Sequence, residues 1–302
     1  MKKILNLGVV LVLVLALLAG CAGSKPADQP AEDQQENKEA AQTEEPKEEA
    51  KYEDGVYFAK EDGFSENSGW KDVVTIEVKD GKIATVQWNG AHKNGGVDKV
   101  TASEEGKYPM VEKGGAKAPW HEQAEKVEAY LIDTQDTNAI EYKDNEGHTD
   151  VISGATMKVK GFFGLAEKAL ADGPVDKGQY KDGAYHAEES EFNAETGWKA
   201  TVDLTVINGN IVAANWNGIH KDGGSDKKTL SVEGKYPMVE KAGAKAPWHE
   251  QAAVVEAYLL ENQDPTTIEY KDDKGHTDAI SGVSIAVSPL FKLAEEALAE
   301  AK

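Results

Sequence analysis

Arginine is absent from the 302-residue sequence, so all 33 basic side chains are lysine. Acidic side chains number 54, which gives a formal net charge of −21 and a pI near 4.8. Proteins that bind nucleic acid neutralise phosphates with Lys and Arg on a basic face. A chain this acidic, without Arg, is therefore not expected to bind nucleic acid.

Cysteine occurs once, as Cys21, and long apolar runs are equally scarce. A single thiol excludes an internal disulfide, a thiolate zinc site, an iron–sulfur cluster and a covalently attached haem. The one apolar run extends over 4–20 and follows two lysines. That order of charges is typical of a secretory signal, and about 17 residues is marginal for a membrane span. An uncleaved membrane anchor is the alternative.

Leu18-Ala19-Gly20-Cys21 resembles the lipobox of bacterial lipoproteins. The resemblance implies removal of a signal peptide at 1–20 and a diacylglycerol, with acyl chains such as palmitate, on Cys21. Residues 21–51 are then expected to form a disordered acidic tether. This stretch is rich in Glu, Lys, Gln, Ala and Pro, and it cannot bury enough apolar surface to offset the entropy of ordering.

The rest of the chain consists of two copies of one sequence segment. Residues 54–170 match 182–298 at a constant offset of 128, and 69 of these 117 positions are identical. Two copies are too few for a solenoid, whereas about 120 residues is an ordinary domain size. The sequence therefore predicts two tandem homologous domains, at 52–172 and 180–302, with a linker at 173–179.

Within each copy, alternating apolar residues predict strands. The dipeptides Asp80-Gly81 and Asn208-Gly209 predict two-residue turns between them. Pro119 is suited to the first turn of a helix, and Ser288-Pro289 reads as an N-cap followed by the first residue of a last helix. By alignment, the last helix of the first copy begins near Gly161. Strand pairs with helices between and after them predict an α+β fold, with a mainly antiparallel sheet in each domain.

Four small residues, at 153–156, stand just before the last helix of the first copy. Gly154 and Ala155 leave the Thr156 hydroxyl sterically open, with Ser153 and Asp150 on its flank. A turn that leads into a helix uses the same residue types. Composition alone therefore favours a turn over a site.

The segment Asp150-Val151-Ile152-Ser153-Gly154-Ala155-Thr156 resembles the attachment motif of the FMN-binding domain family. Members of that family occur in the flavin subunits of membrane sodium-pumping and electron-transport complexes. Their final Thr carries FMN through a phosphoester bond that a dedicated flavin transferase makes. The resemblance implies covalent FMN on Thr156 and assigns cofactor-binding roles to Asp150, Ser153, Gly154 and Ala155.

The second copy departs from this motif, with Val283 in place of Ala and Ser284 in place of the acceptor Thr. Asp278, Ser281 and Gly282 are retained as the matching cofactor-binding residues. Ser keeps a hydroxyl, so a second FMN on Ser284 is chemically possible, although Val283 adds bulk beside it.

A lipobox, an acidic tether and two such domains are together similar to the flavin-bearing lipoproteins of extracellular electron transfer in Gram-positive bacteria. That resemblance implies an electron carrier, rather than a substrate-specific enzyme, anchored by lipid on the extracellular face of the cell membrane. Its electrons come from a membrane dehydrogenase through quinone, and its acceptors are ferric iron or a surface reductase. In some relatives the signal peptide also yields a peptide pheromone. The alternative is a lipoprotein binding module for a small ligand or surface partner, without redox activity.

Three histidines recur at the same offset: His92, His121 and His148 with His220, His249 and His276. Their spacing matches no familiar set of metal ligands, so we expect histidines that are hydrogen-bonded or that line a flavin, and no metal site. The sequence also lacks the G-x-S-x-G element of a hydrolase nucleophile. Hydrolysis is therefore not expected.

Overall fold

The computed structural model describes residues 51–302, all of which belong to one compact unit. The fold is α+β, as the sequence predicts, and contains two three-stranded antiparallel sheets. The predicted signal peptide, the predicted lipidation residue Cys21 and nearly all of the predicted tether lie outside the described residues. Within the described part of the chain, no helix is long and apolar enough to cross a membrane.

Each repeat contains a sheet of three consecutive strands, followed by helices. In the first repeat the elements are β1 (Gly55–Lys60), β2 (Trp70–Lys79), β3 (Lys82–His92), α1 (Lys99–Glu104), α2 (Trp120–Thr134) and α3 (Lys160–Asp172). In the second they are β4 (Gly183–Glu188), β5 (Trp198–Ile207), β6 (Asn210–His220), α4 (Lys227–Val232), α5 (Met238–Ala242), α6 (Trp248–Asn262) and α7 (Ser288–Ala297).

The long strands of each sheet are joined by the predicted two-residue turns. Asp80 and Gly81 have φ values of 53° and 72°, and Asn208 and Gly209 have 51° and 72°. Positive φ at both central residues is the turn that matches the twist of a hairpin, and Asp-Gly and Asn-Gly favour it. The turn is tied to the chain before the first strand, because Asp54 accepts a hydrogen bond from the Gly81 amide at 2.8 Å.

The helices cover one face of each sheet and enclose the core. On α2 the apolar stripe of Ala124, Val127 and Leu131 is fully buried, as helical spacing predicts. Gln135 ends α2 in the left-handed conformation, and its side chain bonds both the amide and the carbonyl of Ile83 on β3. The Gln135 side-chain amide makes the two hydrogen bonds that the backbone of a neighbouring strand would make, and it fixes the end of α2 to the sheet.

A third apolar cluster joins the two repeats. Val73 and Ala91 of the first sheet pack with buried residues of the second: Ile207, Val212 and Ala213. The predicted linker is also bonded to both sides, since the Val175 amide donates to Val56 at 2.7 Å and the Gly178 amide to Asn208 at 3.1 Å. The outer faces of the two sheets are thus partly buried between the repeats.

The structure shifts the start of the last helix by one residue in the second repeat. Val287, rather than Ser288, is the N-cap of α7, and Ser288 is its first helical residue. The Val287 position has no side-chain cap, and Pro289 still lies in the first turn, where its missing amide is tolerated. In the first repeat α3 begins at Lys160, one residue before the predicted position.

Candidate functional site

Thr156 is exposed, and a buried amide fixes the position of its hydroxyl. The Gln123 side chain is fully buried, and its Oε1 accepts from the Thr156 amide at 2.8 Å and from the Thr156 hydroxyl at 3.1 Å. The Gln123 Nε2 donates to the Ala118 carbonyl at 2.8 Å, which fixes the orientation of the amide. The acceptor residue implied by the motif is therefore both accessible and oriented.

Ser284 has the same environment in the second repeat. The Gln251 Oε1 accepts from the Ser284 amide at 2.7 Å and from its hydroxyl at 3.2 Å, and the Gln251 Nε2 donates to Ala246 at 2.8 Å. The change from Thr to Ser removes a methyl group and keeps every one of these hydrogen bonds. Both hydroxyls are therefore presented in the same way.

The small residues of the motif form a tight turn before the helix. Gly154 has φ +86° and Gly282 has φ +81°, a region that side chains other than Gly seldom adopt. Ala155 is buried, and the Val283 that replaces it packs against the core of the second repeat. The extra bulk of Val283 therefore points into the protein and leaves the Ser284 hydroxyl open.

The acidic residues of the two motifs lie at the surface, away from the hydroxyls. Asp150 forms an ion pair with Lys143 at 3.0 Å, and Asp278 forms one with Lys271 at 2.9 Å. Ser153, Gly154, Ser281 and Gly282 are exposed. Among the predicted cofactor-binding residues, Thr156 and Ser284 are those that hydrogen-bond a fully buried side chain, Gln123 or Gln251.

An aromatic cavity of about 290 Å³ lies next to Ser284 in the second repeat. Ile285 and Ala286, which directly follow Ser284, form part of its wall. The rings that line it are Trp198, Trp216, Tyr236 and Trp248. Three of these are the second-copy members of the three Trp pairs, so the recurrent tryptophans of the sequence meet at one place.

A lysine extends over the rings of this cavity. The Lys227 ammonium lies 4.9 Å from the ring centre of Trp248 and 5.3 Å from that of Tyr236. Burial lowers the pKa of Lys227 to about 8, although the nearby Glu189 carboxylate raises it. The indole nitrogen of Trp216 is buried and has no hydrogen-bond partner among the described residues. The cavity thus contains two donors that no protein acceptor satisfies.

The first repeat has the same tryptophans and lysine at the corresponding place, but there the lysine is paired with a carboxylate. Lys99 lies 4.5 Å from the ring centre of Trp120. Its ammonium also forms an ion pair with Asp72 at 2.8 Å, and the other Asp72 oxygen accepts from the Trp88 indole at 3.1 Å. Position 200, which corresponds to Asp72, is Ala. Asp72 therefore satisfies both of the donors that are left without an acceptor in the second repeat.

The histidines occupy three separate places in each repeat. His92 packs edge-on against Trp70, His121 hydrogen-bonds Ser103 at 2.9 Å, and His148 bonds Asp144 at 2.7 Å. Among the described residues, no group of three or more His, Cys, Asp or Glu side chains could bind a metal ion.

Sequence reasoning missed the two glutamines and the difference at Asp72. A signal for the glutamines was present: Gln123 follows Pro-Trp-His-Glu in both copies and precedes the buried residues Ala124 and Val127. A polar side chain on the buried stripe of a helix needs an internal partner. The partner itself, an amide and a hydroxyl 33 positions away, is set by tertiary packing.

No protein-family model and no curated protein matches the chain. A solution NMR structure of a Clostridium thermocellum protein, a structural genomics target, is 66% identical and covers 40% of this chain and 91% of that one. This chain belongs to the same family as the C. thermocellum protein. The TM-score of that match is 0.33. CPE2226 protein from Clostridium perfringens is 24% identical and covers 41% of this chain and 89% of its own, with a TM-score of 0.32.

Proposed function

We propose that the chain is a tandem pair of FMN-binding domains that carry FMN esterified to Thr156 and to Ser284. In this proposal it relays electrons on the outer face of the cell membrane and is anchored there by a lipid on Cys21. The donor is a membrane dehydrogenase with its quinone pool, and the acceptors are ferric iron or a surface reductase. A flavin transferase attaches the cofactor.

One observation carries the proposal beyond the resemblance of the motif. An exposed hydroxyl, oriented by a buried glutamine, occurs at both motif positions. An ordinary turn before a helix needs no such arrangement, because exposed hydroxyls are satisfied by water. A fixed, accessible hydroxyl suits an acceptor of a phosphoester.

The residues of the aromatic cavity in the second repeat fit the ring system of a flavin. Isoalloxazine is flat and aromatic, and Trp198, Tyr236 and Trp248 offer ring surfaces for it. Its polar edge carries hydrogen-bond acceptors, which suit the Trp216 indole N–H and the Lys227 ammonium. A larger groove of about 620 Å³ at 188–193 is lined by carboxylates, and these disfavour an anionic cofactor.

Covalent attachment also agrees with the charge of the protein. A chain of net charge −21 without Arg attracts a free, doubly negative FMN phosphate poorly. Bound FMN would supply the redox chemistry. The chain's own residues hold the ring, orient the acceptor hydroxyl and exclude water from one side of the site.

Flavin attachment is tested with the full chain co-expressed with a flavin transferase. We expect a fluorescent band on a denaturing gel, an intact mass that corresponds to two FMN groups, and modified peptides that contain Thr156 and Ser284. The matched variants T156V and S284A should each lose one FMN. An unmodified mass in the wild-type chain, with the transferase shown to be active on another substrate, would overturn the proposal.

The same experiment separates the second candidate, a binding module without redox activity. The observation in favour of a binding module is the aromatic cavity of the second repeat, because its Lys227 and Trp216 donors would also suit a small anionic ligand. A binding module predicts an unmodified intact mass and a chain that stays colourless after purification.

A further inference from the structure

The two repeats surround the same Trp-Asn-Gly strand segment with opposite excess charge. In the first repeat the lysine Lys99 is accompanied by two carboxylates, Asp72 and Glu128. Glu128 accepts from the Trp88 amide at 2.6 Å, and the residue that could pair with it, at position 100, is Val. One ammonium and two carboxyl groups thus lie around Trp88, and the Glu128 carboxyl, whose pKa burial raises to about 7, is partly ionised near neutral pH.

In the second repeat both of these positions have changed. Ala200 replaces Asp72 and removes the partner of Lys227, while Lys228 replaces Val100 and pairs with Glu256 at 2.7 Å. Glu256 accepts from the Trp216 amide at 2.6 Å, as Glu128 does from Trp88. Two positive and one negative group thus lie around Trp216. Two substitutions therefore shift the local charge in the same direction.

Other charged groups lie near the two sites. Two lysines beside the first motif, Lys126 and Lys158, correspond to Val254 and Ala286 in the second repeat, and Lys158 is paired with Glu146 at 2.8 Å. Glu189 lies in the wall of the aromatic cavity and accepts from the Ala200 amide at 2.8 Å. Glu61, its counterpart, accepts from the Asp72 amide at 2.9 Å in the same manner. This carboxylate is common to both repeats, so the contrast among the groups around Trp88 and Trp216 themselves rests on positions 72 and 200 and on positions 100 and 228.

We infer that the second repeat holds its flavin at the higher reduction potential, so that electrons collect at Ser284 rather than at Thr156. The inference rests on the proposed function. Reduction places negative charge on the ring, and the half-buried Lys227 ammonium, which forms no ion pair among the described residues, stabilises that charge. In the first repeat Asp72 neutralises the corresponding lysine and occupies the indole N–H.

The transfer from the first site to the second is balanced without any further reactant. Two electrons leave the reduced flavin at Thr156 and enter the oxidised flavin at Ser284, and the accompanying proton exchanges through solvent. The same ring system is present on both sides. The difference in potential therefore comes from the surrounding protein, which is why two substitutions can set the direction of flow.

The test compares the full chain with a single flavin in each repeat. S284A leaves the Thr156 flavin and T156V leaves the Ser284 flavin. Each protein is equilibrated with reference dyes of known potential, and loading is measured by intact mass. We expect the T156V protein to show at least a tenfold higher ratio of reduced to oxidised flavin at the same dye ratio, which is about 30 mV for a two-electron couple.

Exchange of the residues at positions 72 and 200 should shift the ratio of reduced to oxidised flavin in each repeat toward that of the other. A200D in the T156V protein should lower the ratio of reduced flavin, and D72A in the S284A protein should raise it, each by several-fold. Equal potentials in the two singly loaded proteins, or exchanges that shift neither ratio, would overturn the inference while leaving the proposed function intact.

Loading decides between failure of the inference and failure of the proposed function. Where Ser284 carries no flavin, V283A/S284T gives the second repeat the Ala-Thr ending of the first motif, and the same comparison applies. Failure of that variant to load overturns the inference for the second repeat. A wild-type chain without flavin on either hydroxyl overturns the proposed function and the inference together.

Discussion

Gln123 and Gln251 are fully buried polar side chains that join the turn of each motif to the backbone before α2 or α6. Each accepts two hydrogen bonds from the acceptor residue of its motif and donates one to the backbone before the helix. Removal of such partners leaves the buried amide without hydrogen bonds and lowers the free energy of unfolding by about 1–3 kcal/mol. The network therefore ties the orientation of an exposed hydroxyl to the stability of the core.

Q123M tests this coupling, because Met has a similar length and no hydrogen-bonding amide. We expect attachment of FMN at Thr156 to fall several-fold, and the free energy of unfolding to fall by about 1–3 kcal/mol. Peptide mapping measures attachment, and urea unfolding measures stability. Q251M is the matched control and should move the loss to Ser284. Full loading of Thr156 in folded Q123M protein would show that the amide serves stability alone.

Glu128 makes a second prediction at the residue scale, through pH. Burial raises the pKa of Glu128 from its usual 4.5 to about 7. Between these values the folded chain binds more protons than the unfolded chain, so the free energy of unfolding decreases as pH rises. The contribution is present below about pH 4.5 and is lost as the pH rises through about 7, and its size is about 3 kcal/mol.

E128Q should remove this part of the pH dependence, as measured by urea unfolding at several pH values between 4.5 and 8. V100K is the second variant, because it reproduces the Lys228–Glu256 pair of the other repeat. The added ammonium should lower the pKa of Glu128 and flatten the same curve. An E128Q curve identical to that of the wild-type chain would contradict the assignment.

At the scale of elements, the linker is held against the turn of the second hairpin. A Cβ on Gly178 would meet the backbone of Gly209, and the amides of Gly178 and Tyr180 donate to Asn208 and Gly209 at 3.1 Å. Contact between two backbones leaves no flexible side chain that could move away. The linker is therefore part of the packed structure of the second repeat.

G178A should destabilise the chain by about 1–3 kcal/mol, since the added methyl group forces the linker away from the hairpin turn. The φ value of Gly178 is not in the left-handed region, so the effect is steric. G63A is the control, because a Cβ there meets nothing within 4 Å. Thermal unfolding of both variants decides it: equal midpoints would mean that the linker is loosely held.

The elements that the sequence predicted are those whose signal is local. The Asp80-Gly81 and Asn208-Gly209 turns, the stripe of α2 and the starts of α3 and α7 were found to within one residue. The short helices α1 and α4 were missed. Each has six residues and a local N-cap, Asp98 or Asp226, and Asn89 or Asn217 on the neighbouring strand also accepts from Val100 or Lys228. A helix of six residues is too short to show a periodic apolar pattern.

The candidate site is only partly predictable from the sequence. The motif indicates Thr156 and Ser284 as the candidate acceptors, which stay a prediction, and the repeat shows that the tryptophans occur in pairs. That Trp198, Trp216 and Trp248 line one cavity beside Ser284 depends on the packing of α6 against β6, which no single segment encodes. The contrast between Asp72 and Ala200 was visible in the alignment of the two copies, but its meaning required the position of Lys227.

For the whole molecule, the decisive contact is between the two repeats. The loop after β3 reaches the second sheet, where the Thr205 hydroxyl donates to the Gly96 carbonyl at 2.8 Å. Thr205 is fully buried, and its counterpart in the first repeat is Glu77, on an exposed part of the fold. The loop after β3 therefore contacts the second repeat, whereas the equivalent loop after β6, which the structure also describes, makes no corresponding contact with Glu77 of the first repeat.

This asymmetry gives a matched pair of variants, G95A and G223A. The two glycines correspond in the repeat and have φ values of +68° and +75°, so an added Cβ causes similar backbone strain in both, of about 1–2 kcal/mol. Only at Gly95 does the new Cβ also meet the backbone of Asp203 on β5, whereas at Gly223 it meets nothing within 4 Å. We expect G95A to lower the free energy of unfolding by about 1–3 kcal/mol more than G223A. Urea unfolding of the two variants measures the difference, which reports the docking of one repeat on the other. Equal losses would mean that this loop is not docked on the second repeat.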